Sequence, residues 1–145
     1  MRTRHETPGV AWTYGVLGLI PFAVAGAALV IGDDRRKAQA KRGLILYAGL
    51  IASFLGGARW GLEIEDKPVR TTVISASMAP TVGGFLLALA PKAMVKTKFA
   101  GLIAIFAGQW LWDVRSSETP SWYPVLRTAL TTGAVVALLV GLTTS

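Results

Sequence analysis

Five side chains carry the chemistry this chain can offer: Arg59, Glu63, Gln109, Asp113 and Arg127. Arg59 and Glu63 are four residues apart, so on a helix they lie one turn apart and can pair. Gln109 and Asp113 have the same spacing. Arg127 falls one turn inside a hydrophobic run. A charge at mid-bilayer costs about 2.5–3.5 kcal/mol on insertion scales and less near the interface. Asp113 is therefore expected to pair with Arg59 or Arg127, through a guanidinium fork. Two arginines against one aspartate leave a local charge of +1 unless Glu63 joins. Two uses fit the set. One is an internal ion-pair clasp between helices. The other is a pocket for an anionic lipid headgroup or another small anion.

Catalysis is not among the readings these residues favour. There is no GxSxG, HExxH or P-loop motif, and the spans hold no His, and no Lys away from their ends, to act as a base for a Ser or Thr nucleophile. The chain has no cysteine and one histidine, His5, in the polar N-terminal stretch. No metal site or cofactor is read from it. Gly56-Gly57 lies inside a hydrophobic span rather than after a strand, so it is not a phosphate loop.

The elements that must position these residues are membrane spans. The 145 residues are 52% hydrophobic and 16% charged, where soluble domains carry roughly 25% charge. The apolar residues come in runs of about twenty, the length that crosses a bilayer. An all-α polytopic bundle of five transmembrane helices is expected, over about residues 10–31, 44–62, 69–90, 97–114 and 122–142, in one integral-membrane domain covering 1–145. The first run is taken as a retained span rather than a signal peptide, since it is long and a basic stretch follows. Pro21 predicts a kink there. Pro68 is expected to open span three. Pro80 frees the carbonyl of Ala76, which Ser77, Thr81 or a neighbouring helix could satisfy. Span four is the shortest and must draw in Lys98 and Asp113 to cross.

Small residues recur every fourth position: Gly49, Ser53, Gly57 and Gly61; Ser75, Ala79 and Gly83; Ala100, Ala104 and Gly108; Ala129, Gly133, Ala137 and Gly141. Residues four apart share a helix face, and small rows let helix backbones approach closely in lipid. These rows are expected to pack inside the bundle, with Gly57→Leu disrupting it.

The net charge of +7 does not imply nucleic acid. Arg35, Arg36, Lys37, Lys41 and Arg42 fill one short loop, and Lys92, Lys96 and Lys98 lie on the same side. The other side holds Arg2, Arg4, Lys67, Arg70 and Arg115, with Arg59 and Arg127 embedded. This bias predicts the N-terminus outside and the C-terminus cytoplasmic. A bacterial inner membrane is expected, with the mitochondrial inner membrane as the alternative. All five tryptophans fall at span ends on the outer side. Trp12, Trp60, Trp112, Trp122 and Tyr123 form an expected aromatic rim, joined by Trp110. An ordinary belt places Trp and Tyr at both boundaries, so a one-sided cluster suggests a docking face or packed site.

Several stretches together resemble a family of small membrane proteins catalogued as domain of unknown function three-four-two-nine, which includes a mitochondrial transmembrane protein, number sixty-nine. They are Tyr14-Gly15 with Ile20-Pro21-Phe22, then Ser53 to Gly61 (SFLGGARWG), then Pro80, Asp113 and Ser121-Trp122-Tyr123-Pro124 with Arg127. The family pattern often has histidine before the tryptophan, where this chain has Arg59, which weakens any expectation of proton transfer there. The resemblance implies a multi-span inner-membrane protein and no activity. The function expected first is a non-enzymatic accessory or assembly subunit docking other membrane proteins. The alternative is a binder or carrier of a lipid or of a small anionic or tetrapyrrole ligand. Expected partners are the lipid bilayer, a membrane protein and an anionic lipid.

Overall fold

A computed structural model of the chain describes residues 9–65, 68–116 and 119–145. His5, Arg2, Arg4, Asp66, Lys67 and Glu118 lie outside the described residues. Among those described, apolar runs of bilayer length become five α-helices: α1 (Gly9–Ile31), α2 (Asp34–Glu65), α3 (Thr71–Leu89), α4 (Val95–Arg115) and α5 (Tyr123–Thr143). A single 3₁₀ turn, Lys92–Met94, leads into α4. Among the described residues, four helices are long and apolar enough to cross a membrane. The remaining one, α4, carries Lys96, Lys98, Asp113 and Arg115. Its 21 residues still reach about 32 Å, close to the hydrocarbon thickness.

Each helix packs on the next, and α5 closes back on α1. The helices α2 and α4 meet across the interior. The outer faces of the bundle carry large apolar side chains, among them Leu17, Leu50, Phe54, Phe85 and Val125. That is the pattern a lipid solvent selects. The core is built on Phe22, Leu44, Phe99, Leu102, Phe106 and Leu138. Phe22 meets Tyr47 and Phe106 edge-on, at 5.0 and 6.1 Å between ring centres. The Tyr47 hydroxyl donates to the Gly18 carbonyl at 2.7 Å, which ties α2 to α1.

The tightest seam joins α2 to α3. Gly49 lies on the Gly84 backbone, and a Cβ at Gly56 would strike the Ser77 carbonyl. Between them the Ser53 and Thr81 hydroxyls are 3.0 Å apart. A double-mutant cycle on Ser53→Ala and Thr81→Val, followed by detergent melting, should give a coupling near the membrane average of about 0.6 kcal/mol. Zero coupling would mean this bond only replaces bonds made in the unfolded helices.

The small-residue rows need correcting. Gly49 and Ser53 do face α3, but Gly57 and Gly61 have nothing within 4 Å of a built Cβ. The cause is rotational. Residues two apart on a helix point about 200° apart, so α2 cannot bury Arg59 and Glu63 and also Gly57 and Gly61. The charges win, and the buried face runs through Ala48, Ala52, Leu55, Gly56, Arg59 and Glu63. On α3 the inner face is Ser77, Pro80 and Gly84, while Ser75 and Ala79 are exposed. On α5 Gly133 packs on Leu19 and Gly141 on Phe99, with Ala129 exposed. The α4 row turns outward: Ala100, Ala104 and Gly108 are all exposed.

Three local expectations also shift. The basic residues 35–42 do not form a loop; they are the first turns of α2, started by Asp33, whose Oδ1 accepts the Arg36 amide at 2.8 Å as a helix cap. With 32 residues, α2 extends about 48 Å, well past a 30 Å hydrocarbon layer. Pro68 precedes α3 rather than opening it, because Arg70 is held extended as the N-cap. Finally, the Ser77 hydroxyl bonds the Ile74 carbonyl and Thr81 turns to Ser53, so neither serves Ala76.

Candidate functional site

The helix rotation just described carries Arg59 inward from α2, where it meets α4 and α5. Asp113, on the inner face of α4, is 1% exposed, and Arg59 and Arg127 are 2% and 3% exposed. Asp113 takes both arginines. Arg127 Nε donates to Oδ2 at 2.7 Å. Arg59 Nε lies 3.2 Å from Oδ1. That contact is a charge pair off the line of a hydrogen bond. The expected two-pronged fork is replaced by two single-nitrogen contacts, one from each flanking helix. Arg59 also donates through Nη2 to the Trp112 carbonyl at 3.3 Å, and its guanidinium sits 4.5 Å from the Trp112 ring centre. At that distance the ring face attracts the cation.

Glu63 does not join. The expected turn-to-turn pair with Arg59 is absent, and Glu63 instead takes Arg70: its backbone amide at 2.6 Å, Nε at 3.0 Å and Nη2 at 2.7 Å. The physical reason is competition. Asp113 draws Arg59 toward α4, and Arg70, at the start of α3, offers Glu63 three donors at once. The buried trio therefore keeps its local +1. Gln109 is buried on the same side of α4. Three buried donors near the trio, Gln109 Nε2, Arg127 Nη2 and Thr131 Oγ1, have no hydrogen-bond partner among the described residues.

Of the expected aromatic rim, Trp112 lies against Arg59, and Tyr123 is near enough to feel the charges of Asp113, Arg127 and Arg59. Trp122 packs edge-on against Tyr123 at 5.9 Å. Trp110 donates from Nε1 to the Thr128 hydroxyl at 2.8 Å, a second tie between α4 and α5. Trp12 is half-buried in the first turn of α1, and Trp60 is 42% exposed. Two residues were missed from sequence. Arg70 counted only as a loop charge, and its spacing of seven from Glu63 across a Pro-containing turn gives no pairing without the fold of that turn. Thr131 follows Arg127 by one helical turn and shares its face. No group of three or more His, Cys, Asp or Glu that could hold a metal occurs among the described residues.

The arrangement can do two things chemically. It can bind three helices through one shared carboxylate, and it can present surplus positive charge to a small anion.

Residues 7–143 match a family model described as Protein of unknown function (DUF3429). Transmembrane protein 69 from Xenopus tropicalis is 33% identical over 144 residues, covering 96% of this chain. The chain spans 56% of that relative's length, little more than half. No solved structure matches significantly.

Proposed function

The chain belongs to the DUF3429 family of membrane proteins of unknown function, and on that premise we propose that it is a non-enzymatic accessory subunit docking another membrane protein through the outer face of α4. One observation carries this reading. Between Lys96 and Leu111 the exposed residues of α4 are Thr97 and then only Ala100, Ala104, Ala107 and Gly108. On α3 and α5 the exposed small residues, such as Ser75, Ala79 and Ala129, are interspersed with exposed Met78, Val82, Phe85, Val125 and Val136. A smooth row at four-residue spacing suits the close approach of a second helix, while bulky side chains suit lipid.

In this account the Arg59–Asp113–Arg127 trio is a structural clasp. It locks α2, α4 and α5 so that α4 keeps its small face outward. Trp12, Trp60, Trp122 and Tyr123 mark the outer water boundary and rim the docking face. The N-terminus is outside and the basic end of α2 is cytoplasmic, in a bacterial inner membrane or its mitochondrial counterpart. A second reading, a small-anion site within the trio, is favoured by the unpartnered donors of Gln109, Arg127 and Thr131.

The absence of native cysteine makes the docking test clean. Single cysteines at Ala104 or Gly108 should cross-link in native membranes to a partner's transmembrane helix. Cysteines at Val82 or Phe85, on the lipid side of α3, should not. A cross-link to a second copy would make the partner this chain itself. No adduct at any α4 position would remove the proposal.

A further inference from the structure

At the end of the bundle away from Asp113, the first turns of α2, the α3–α4 turn and the start of α4 enclose an open groove of about 910 Å³. Four cations line it: Lys41, Arg42, Lys92 and Lys98. No carboxylate does, among the described residues. Asp33 and Asp34 lie at the start of α2, and Asp33 is committed to the Arg36 amide. Lys98 is only 8% exposed. Its Nζ donates to the Ala88 carbonyl at 3.3 Å, and no carboxylate pairs with it among the described residues. Lys41 reaches the Thr144 carbonyl at 3.2 Å, again a neutral acceptor.

A buried ammonium held by a carbonyl alone is under-compensated, since burying a charge is costly unless it is paired. The floor beside it is apolar, formed by Ile45, Leu46 and Val95. Leu46 is 58% exposed, so the floor continues onto the lipid-facing side of α2. Cations at the water boundary above an apolar floor open to lipid match one ligand chemistry, a phosphate ester carrying an acyl chain. Basic pockets between transmembrane helices bind such headgroups elsewhere.

We propose that this groove holds one anionic phospholipid, its phosphate among Arg42, Lys92 and Lys98 and an acyl chain along Ile45, Leu46 and Val95. A free phosphate ion would use the cations and leave the apolar floor without a role. The site is separate from the small-residue face of α4 and does not depend on the docking proposal.

The test is native mass spectrometry of the full chain released from nanodiscs of equal phosphatidylcholine and phosphatidylglycerol. The wild type should retain one phosphatidylglycerol and little phosphatidylcholine. Arg42→Gln with Lys92→Gln, both at exposed positions, should lower that retention by about fivefold per cation removed, roughly 25-fold together. Equal retention of the two lipids, or unchanged retention in the double variant, would overturn the site. Inorganic phosphate that displaces the lipid at millimolar concentration would make it a phosphate site and overturn the lipid assignment. Should the double variant fail to fold, the wild-type preference between the two lipids decides alone.

Discussion

Asp113→Asn is expected to collapse the bundle. The substitution keeps size and shape but leaves Arg59 and Arg127, both almost fully buried, with no counter-charge. Removing one partner of a buried pair costs about 3–5 kcal/mol, because a guanidinium charge remains that can neither be neutralised nor reach water. Here two such charges remain and repel one another. The expected readout is a large loss of folded yield and a melting transition far below the wild type in the same detergent. A companion variant separates charge from packing. Arg59→Met, Asp113→Leu and Arg127→Met made together remove all three charges, and such apolar replacements are often neutral or stabilising. The triple variant should melt near the wild type. If Asp113→Asn folds normally, or if the triple variant is as damaged as the single, the clasp account of the trio is wrong.

Gly56→Leu is expected to separate α2 from α3, whereas its neighbour Gly57→Leu should be nearly silent. A Cβ at Gly56 meets the Ser77 backbone carbonyl, and Pro80 lies 3.5 Å away on the same face. Neither neighbour is a flexible side-chain end that can swing aside, so the helices must part. Overpacking typically costs about 1–3 kcal/mol and occasionally more; the backbone clash and the adjacent Ser53–Thr81 contact place Gly56→Leu at the upper end. Gly57 has open space around it, and surface changes usually fall within about 0.5 kcal/mol. Detergent melting of the two variants side by side checks this. Equal melting would mean that the α2–α3 seam is not where the helices press together.

Much of this architecture is legible in the sequence, and the failures share a cause. The helices α1, α3, α4 and α5 lie within a few residues of the apolar runs, because lipid demands about twenty apolar residues and hydropathy measures that directly. What hydropathy measures is the bilayer, not the helix. Asp33 caps α2 ten residues before the apolar run begins, so a helical, basic segment reads as a loop. Helix rotation is a second blind spot. Small residues on α2 fall in two rows, and spacing alone cannot say which row packs. The choice was recoverable from Arg59 and Glu63, since a face that buries both must turn Gly57 and Gly61 away. Pairing is the third. The four-residue rule coupled Arg59 to Glu63, but helix neighbours lose to tertiary partners that offer better geometry. Asp113 with Arg59 and Arg127 was legible, because an aspartate inside a short span needs compensation from whichever cations share its depth. Arg70 was not, because its value depends on how the turn before α3 folds back onto α2.

The most direct test of the docking proposal is purification of the tagged chain from native membranes in polymer nanodiscs, with mass spectrometry of every protein and small molecule retained. It should be run beside Gly108→Leu, a change with open space around it and no expected effect on melting. The proposal predicts a stoichiometric membrane-protein partner with the wild type, lost in Gly108→Leu. A chain isolated without any partner, or a partner held equally well by the variant, would contradict it; a lone chain carrying a small anion would move the function to the Arg59–Asp113–Arg127 trio.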